Sequence, residues 1–564
     1  MATSIDLKAQ KKHILEEYMK CKNSFHYFSE KYVMLELPGG DEPFKMYDLQ
    51  KTLIDIIEDK KHVIVLKSRQ VGISTTTQAY CCWLLVFHKN VVVGIVSKDG
   101  PEATTFARTI SGMIDKLPNW MKPKGGQKNQ KGFSKRSEQS FILTNGSKCF
   151  AATVNPKAPG KTLRGKAITF LVIDEAAFVD KVEEAWTAMV PALSTNQKHA
   201  RKAGVPYGTI LLSTPNKTTG QGAFYYKQYT NAISGNSLLT PFVIHWRDIK
   251  ELAEDPEWYK QQCMLFDNDP RKIKQELELV FLPSEGSFFD EDVCQKLQEQ
   301  TRNISIPEKK LFNGMVYEFE NFNNNKTYLI SVDTASEYGT DFSAINVFDY
   351  ITMNQVWEYK GKLPVKDFCK VVLYAATLFK KGPIVIENNS YGTQVVEFME
   401  DTEHSLRLYK TKVGEKKYKN GLSTSTKSRP LMIDALYSLI TEDPSIIKSN
   451  RLALELVGLV HKPSGKVEAD SDCNDDLAMT VAFAAYIRKY DPPLMLEIDT
   501  GATEDFSNII GMNDDIRMPT DVNHHISSEK NLKDINNMFI NAIKDNLNDD
   551  QTQAYINVFD FYNG

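Results

Sequence analysis

The feature that most restricts this chain is a set of short, unbroken apolar runs separated by helical patterns. HVIVLK (62–67), VVVGIVS (91–97), ITFLVID (168–174) and TILLST (209–214) show almost no polar–apolar alternation. A strand with one wet face alternates, so such runs belong to strands covered on both faces, as in a parallel sheet. Helical patterns such as TTTQAYCCWLLVF (75–87) and ATTFARTISGMIDKL (103–117) lie between some of them. This order predicts a doubly wound, mainly parallel α/β domain. The chain has 564 residues, 42% hydrophobic and 25% charged, enough for more than one cored unit. No run of about 18 apolar residues predicts a membrane span. The N-terminal segment is charged and lacks the apolar core of a signal peptide. None of the eight cysteines forms a CxxC pair, which fits buried thiols in a reducing compartment.

A polar stretch (298–310) and the Asn-rich turn NFNNNK (321–326) precede a second series. TYLISVD (327–333), SAINVFDY (343–350) and NQVWEYKG (354–361) read as three successive strands. A helical segment (365–380), the strand PIVIEN (383–388), and helices near 391–401, 427–441 and 476–489 follow. Three leading strands and then mixed elements predict a ribonuclease-H-like domain. The expected division is 1–300, a linker 301–326, a second domain 327–490 and a C-terminal tail 491–564, with one helical candidate around 530–547.

VIVLKSRQVGIST (63–75) runs from strand to glycine turn to helix start, the arrangement in which backbone N–H groups and a helix N-terminus meet a phosphate. Lys67, Ser68, Arg69, Gln70, Val71, Gly72, Ile73, Ser74 and Thr75 form this candidate loop. Ser74 and Thr75 bring hydroxyls to the place where a P-loop presents its Mg2+ ligand. The usual lysine position holds Ile73 and the first glycine position holds Lys67. A lysine at the loop's opening can still fold over the β/γ-phosphates, while a plain strand–turn–helix with surface Lys67 and Arg69 is the other reading. ITFLVIDEAAF (168–178) ends an apolar strand in Asp174–Glu175. Such carboxylates either face a ligand, Asp174 toward a Mg2+ shell and Glu175 toward the attacking water, or begin an exposed helix. Gln50, ahead of the first strand, supplies an amide suited to an adenine edge. LLSTPN (211–216) ends another apolar strand in hydroxyls and an amide.

In the second series Asp333 ends the first strand, with Asp341 eight residues on, and Glu387 ends PIVIEN. Asp475 and Asp476 stand at the start of the last helix. Hard divalent cations prefer oxygen ligands, and carboxylates on two strand ends and a helix start suit two Mg2+ ions acting on a phosphodiester.

Gln50, KSRQVGIST, VIDEAAF and STPN, in this order and spacing, resemble the ATPase motor of tailed-phage large terminases over about residues 40–285. The acidic set Asp333, Glu387, Asp476 with GLSTSTKSRPLMIDALYSLI (421–440) resembles the family's nuclease domain. The resemblance implies a P-loop ATPase followed by a ribonuclease-H-like nuclease. ATP would bind at Gln50, 67–75 and Asp174, with Glu175 as catalytic base. It implies that Arg69 acts in cis and that Arg164, in KTLRGKA, is offered to a neighbouring subunit. Mg2+, with Mn2+ as a substitute, is implied at Ser74 in the motor and at Asp333, Glu387, Asp475 and Asp476 in the nuclease. Implied partners are double-stranded DNA held by its backbone, a portal protein, a small terminase subunit, and copies of this chain in a ring, a pentamer by resemblance. The implied setting is the host cytoplasm and, transiently, the prohead portal, with no membrane and no place in the mature virion. A helicase-like ATPase fused to an inactive ribonuclease-H-like module is a rival, as is a structural protein whose loop no longer hydrolyses ATP.

Net charge is −4, but residues 491–564 carry 14 acids and 4 bases, leaving 1–490 at +6. Residues 409–429 hold seven bases and one acid, and 116–136 seven bases and no acid. Each run suits a phosphate-tracking surface or a solvated loop. An acidic tail repels phosphate within a Debye length of about 8 Å, which points to a role on a partner protein or as a screen over the nuclease groove. A chain ending at Tyr490 is therefore expected to keep its ATPase activity and cut plasmid DNA at least as fast as the full chain. It should package poorly into empty proheads. Packaging at the full-length rate would remove the partner role, and slower cutting the screening role.

Overall fold

The computed structural model describes residues 4–127, 130–302, 316–336, 338–339, 341–412, 417–469 and 473–490. The tail and its helical candidate lie outside them. The chain divides into two compact units, Met1–Ser284 and Glu285–Gly564. This division falls before the 300 expected from composition. Phe288, Phe289, Val293, Cys294 and Leu297, on and just before helix Glu291–Arg302, are buried in the second unit's core. Among the described residues no helix is long and apolar enough to cross a membrane.

The first unit is built on an eight-stranded sheet: β1 (His62–Lys67), β2 (Val92–Ser97), β3 (Phe133–Arg136), β4 (Ser140–Leu143), β5 (Lys148–Thr153), β6 (Phe170–Asp174), β7 (Gly208–Ser213) and β8 (Thr240–Ile244). Their order is β8-β1-β7-β6-β2-β5-β4-β3. The first six run parallel, and β4 and β3 add an antiparallel edge. The four runs read from sequence are β1, β2, β6 and β7, and they occupy the middle. Val63, Val65, Val93, Ile95, Phe170, Val172, Ile210 and Leu212 share one core with residues of helices Ile73–Phe87 and Gly100–Lys116. Their alternates Ile64, Leu66, Leu171, Ile173 and Leu211 are buried as well. Burial at both parities is why these strands carry no alternation. Helix Gly100–Lys116 starts where the Asp99 side chain accepts the Glu102 N–H at 2.8 Å, with Pro101 in its first turn. Helix Ile73–Phe87 has Gly72 at its N-cap and no side-chain cap, so its first-turn N–H groups have no such partner.

The second unit has a five-stranded sheet: β9 (Val316–Glu318), β10 (Tyr328–Asp333), β11 (Ser343–Asp349), β12 (Gln355–Gly361) and β13 (Ile384–Ile386), in the order β9-β12-β11-β10-β13. β10, β11 and β12 form an antiparallel meander and β13 runs parallel to β10. This is the ribonuclease-H-like arrangement, with β9 added at the edge. Trp357, Tyr359, Ile330 and Val332 pack with helix Val365–Leu378 on one face. Leu329, Ala344 and Phe348 pack with helices Ser428–Glu442, Asn450–Val457 and Asp476–Tyr490 on the other.

That second face is unusually polar at β12. Glu358 is fully buried and paired with Arg451, itself 2% exposed, whose guanidinium lies 3.8 Å from the Tyr317 ring centroid. Ser449 Oγ donates to Glu358 at 3.0 Å, and Gln355 Nε2 donates to Glu358 at 2.8 Å and to Asn346 at 2.6 Å. Removing one partner of a buried pair strands the other charge. Arg451→Ala is expected to destabilise the second unit by about 3–5 kcal/mol, read as earlier loss of amide-exchange protection in β11 and β12. Glu358→Gln with Arg451→Leu should lose clearly less than the single change.

Candidate functional site

In the first unit the parallel strands present their C-terminal ends to one edge, the usual place for a ligand in such a sheet. β1 ends at Lys67. The chain turns through Gln70, with φ 61°, and Gly72, with φ 73°, into helix Ile73–Phe87. Ile73 and Val71 are buried in the core, so the position that usually carries the P-loop lysine points away from any phosphate. Lys67 is 5% exposed, and its Nζ lies 3.1 Å from Glu175 Oε1. Ser74 Oγ donates to Asp174 Oδ1 at 3.2 Å. Two contacts thus tie the loop to the carboxylate pair after β6. Glu175 adopts the left-handed region, φ 50° and ψ 45°, a conformation that costs energy for a non-glycine residue and is concentrated at functional sites. Burial, and then the charge of Glu175, push the Asp174 carboxyl up to about 6. A bound cation would oppose that shift.

The exit of β7 fixes this turn. Ser213 Oγ accepts the Ala177 N–H at 3.1 Å, and Asn216 Nδ2 donates to the Ala177 carbonyl at 3.0 Å. The Thr214 hydroxyl is buried with no hydrogen-bond partner. Gln50 lies under the loop. Its Nε2 donates to the Val71 carbonyl at 2.9 Å and its Oε1 accepts the Tyr47 N–H at 3.0 Å. A Cβ on Gly72 would stand 2.6 Å from Gln50 Nε2, so the pair requires glycine there. These two contacts make Gln50 a brace under the loop. Ser68 is also structural: it is fully buried, donates to the Leu277 carbonyl at 2.7 Å and accepts the Trp246 N–H at 3.1 Å. Arg69 is half exposed and pairs with Glu276 at 3.3 Å, a partner with no signal in the sequence. Gln70 is exposed and Thr75 partly so. Arg164 is exposed on the loop after Pro159–Lys161, beside a cavity of about 620 Å3 floored by helix Val182–Lys202.

In the second unit the β10–β13 register pairs Val332 with Ile386, so Asp333 and Glu387 leave neighbouring strand ends together. Helix Asp476–Tyr490 packs on β10 and β11 and brings Asp475 and Asp476 to the same place. Burial first, then the charges of Glu387, Asp476 and Asp475, push Asp333 well above the ordinary carboxylate range. Asp476 is 6% exposed and raised to about 8, chiefly by burial, and its Oδ2 has no hydrogen-bond partner. Burial also raises Asp475, which Arg429 lowers by its charge, while Asp341 is exposed. Among the described residues no three such groups already stand at metal-ligating spacing. An all-oxygen donor set, mutual repulsion and an orphaned buried carboxylate oxygen nevertheless suit a hard divalent cation in kind. Two residues missed from sequence complete the place: Lys360, whose Nζ is 3.9 Å from Asp476 Oδ2, and its partner Glu455.

The basic run 409–429 meets this site. Asn388 N–H donates to the Leu422 carbonyl at 2.8 Å, Leu422 N–H to the Ile386 carbonyl at 2.7 Å, and strands Lys410–Lys412 and Tyr418–Asn420 pair beyond. The run 116–136 is less free. Lys116 pairs with Asp41 and Glu36, and Arg136 with Asp115 at 2.6 Å.

Residues 64–296 match the family model of the N-terminal part of the T4-like-virus type of terminase large subunit. Solved structures similar to this chain include the large terminase of the thermophilic bacteriophage D6E, at 10% identity over 79% of this chain and 99% of that one, TM-score 0.32. The large terminase ATPase domain of Thermus phage P74-26 aligns at 16% identity over 42% and 95%, TM-score 0.31. The large terminase nuclease of the thermophilic phage G20c, solved with magnesium, aligns at 16% over 36% and 98%, TM-score 0.28.

The burial of Ile73 and the contact of Lys67 with Glu175 give a direct test. Lys67→Ala should abolish ATP hydrolysis, whereas Ile73→Ala should lower it modestly through lost packing. Full ATPase activity in the Lys67→Ala protein would show that the lysine has no role at the loop.

Proposed function

We propose that this chain, whose residues 64–296 match the terminase large-subunit family model, is a packaging motor: an ATPase that drives double-stranded DNA into a prohead, joined to a metal-dependent nuclease that cuts concatemeric DNA. The observation that carries the reading is the presence, in one chain, of a phosphate loop tied to Asp174–Glu175 and of an all-carboxylate site flanked by a basic hairpin. A helicase-like ATPase with an inactive second module has no use for four carboxylates gathered at two strand ends and a helix start, with Asp333 raised by burial and by the charges of the other three. A loop unable to hydrolyse ATP has no use for a buried lysine beside a strained glutamate.

In the motor, Lys67 would neutralise the β/γ-phosphates from the strand end, and the open N–H groups of helix Ile73–Phe87 would cradle them. Ser74 and Asp174 would hold Mg2+, which supplies charge neutralisation when bound. Glu175, held by the Ala177 clamp, would orient and deprotonate the attacking water. Arg69 would act in cis on leaving Glu276, and Arg164, exposed on its own loop, would serve a neighbouring copy's site. In the nuclease, Asp333, Glu387 and Asp476, with Asp475, would hold the divalent cations that activate water and stabilise the leaving 3′ oxygen. The basic hairpin would follow the phosphate backbone without reading bases. Portal protein, small terminase subunit and a ring of copies, a pentamer by family resemblance, are the proposed partners, in the host cytoplasm and at the prohead.

Two substitutions separate the activities. Glu175→Gln should bind ATP and fail to turn it over, measured by nucleotide binding and phosphate release. Asp333→Asn should abolish plasmid cleavage in Mg2+ or Mn2+ and leave ATPase activity intact. Parallel loss of both activities in Asp333→Asn, with the fold kept, would sink the two-site reading.

A further inference from the structure

Lys360 is a buried cation that the mechanism above does not use. It lies near the end of β12 and is 3% exposed. Trp357 and Tyr359 face helix Val365–Leu378, so the alternate positions Glu358 and Lys360 enter the layer shared with helix Asn450–Val457. Glu358 is answered there by Arg451. Lys360 is answered by Glu455, which is 8% exposed. The other oxygen of Glu455, Oε2, accepts the N–H groups of Leu477 at 2.8 Å and Ala478 at 3.1 Å. Those amides belong to the first turn of the helix that begins with Asp476, groups that no residue within the helix can satisfy. Lys360 Nζ also stands 3.9 Å from Asp476 Oδ2 and 4.7 Å from the Phe342 ring centroid.

Burying a lysine is expensive, and an apolar side chain of similar length would fill the same space at lower cost. What an apolar residue cannot do is offset Glu455. Without Lys360, the helix start would carry Asp475, Asp476 and Glu455 close to Asp333 and Glu387 with no buried cation among them. Repulsion would drive the Asp476 carboxylate and the helix end apart from the strand ends. Glu455 grips the helix through backbone N–H groups, so its hold does not depend on the rotamer of Asp476.

We propose that Lys360 and Glu455 form a positioning pair that fixes the first turn of helix Asp476–Tyr490 and so presents Asp476 beside Asp333 and Glu387 for divalent-cation binding. This rests on the metal-dependent nuclease reading. Outer-shell partners of this type are worth about 10–100-fold in metal affinity.

The test uses the full chain with Lys360→Met, Lys360→Arg and Glu455→Gln. Mn2+ binding is measured by electron paramagnetic resonance, with Asp333→Asn defining the signal of the nuclease site. Plasmid cleavage against Mg2+ concentration, ATPase rate and thermal unfolding are measured in parallel. Lys360→Met should weaken nuclease-site Mn2+ binding about tenfold or more and raise the Mg2+ needed for half-maximal cleavage by the same factor. Cutting at saturating metal should recover most of its rate, and ATPase activity should not change. Lys360→Arg should restore most of the affinity. Glu455→Gln keeps an acceptor for the helix amides but loses the ion pair, and should fall between; it carries the comparison should Lys360→Met fail to fold. Unchanged Mn2+ affinity with slower cutting at saturating metal would place Lys360 on the DNA and overturn the proposal. Lower stability with unchanged metal affinity would overturn it too, leaving a packing role. A wild-type chain that neither binds Mn2+ at this site nor cuts DNA would remove the nuclease reading and this inference with it.

Discussion

A carboxylate at the end of an apolar strand has left bulk water with nothing in the strand to receive its charge. Each unit of this chain is organised around that constraint. In the first, β6 delivers Asp174 and Glu175, and Lys67 and Ser74 meet them from the phosphate loop. In the second, β10 and β13 deliver Asp333 and Glu387 side by side, and a helix start adds Asp475 and Asp476. The two answers differ. Asp174 and Glu175 are met by a hydroxyl and a lysine of the loop itself, so each has a partner within the chain. In the second unit burial first, and then the charges of Glu387, Asp476 and Asp475, hold Asp333 well above the ordinary carboxylate range, and burial is the chief cause that raises Asp476. Such a cluster favours a divalent cation as its counter-charge.

The strand-end carboxylates were legible because the strands that carry them are buried on both faces. Unbroken apolar runs marked β1, β2, β6, β7, β10 and β13, and a charge at the end of such a run stands out. Strands β3, β4, β5 and β8 lacked that signal. FSKR, SFIL, KCFAAT and TPFVI each leave part of a face exposed or half-buried, so their composition resembles loop. The unit boundary was displaced for a related reason. Composition breaks at the polar stretch beginning at 298, but packing breaks at 284, where Phe288 and Phe289 turn into the second core.

Side-chain partners were harder to read than positions. Gln50 was legible as a polar residue placed near the glycine turn, but its bonds to Tyr47 and Val71 were not. No sequence pattern says which way a carboxamide turns. Glu276 and Leu277, which hold Arg69 and Ser68, lie more than 200 residues from the loop. Lys360 was invisible for a different reason. A lysine near the end of a strand ordinarily marks an exposed edge, and only the layer of helix Asn450–Val457 makes it a buried one.

The departure at Ile73 becomes intelligible on the same terms. A helix-start lysine would put a cation where Ile73 now packs against the sheet, and the loop would lose an apolar anchor between Gly72 and Ser74. With Ile73 at that position, the loop is held from three sides. Ile73 and Val71 sit in the core below, Gln50 bonds the Val71 carbonyl, and Ser68 spans to Trp246 and Leu277. The helix start therefore rests on a fixed support, which the proposed recognition of phosphate would require. Lys67 keeps its reach because strand β1 is fixed between β7 and β8. Under the proposed function, a lysine at the strand end separates two tasks that one segment ordinarily combines: the strand would supply the charge, and the turn the cradle.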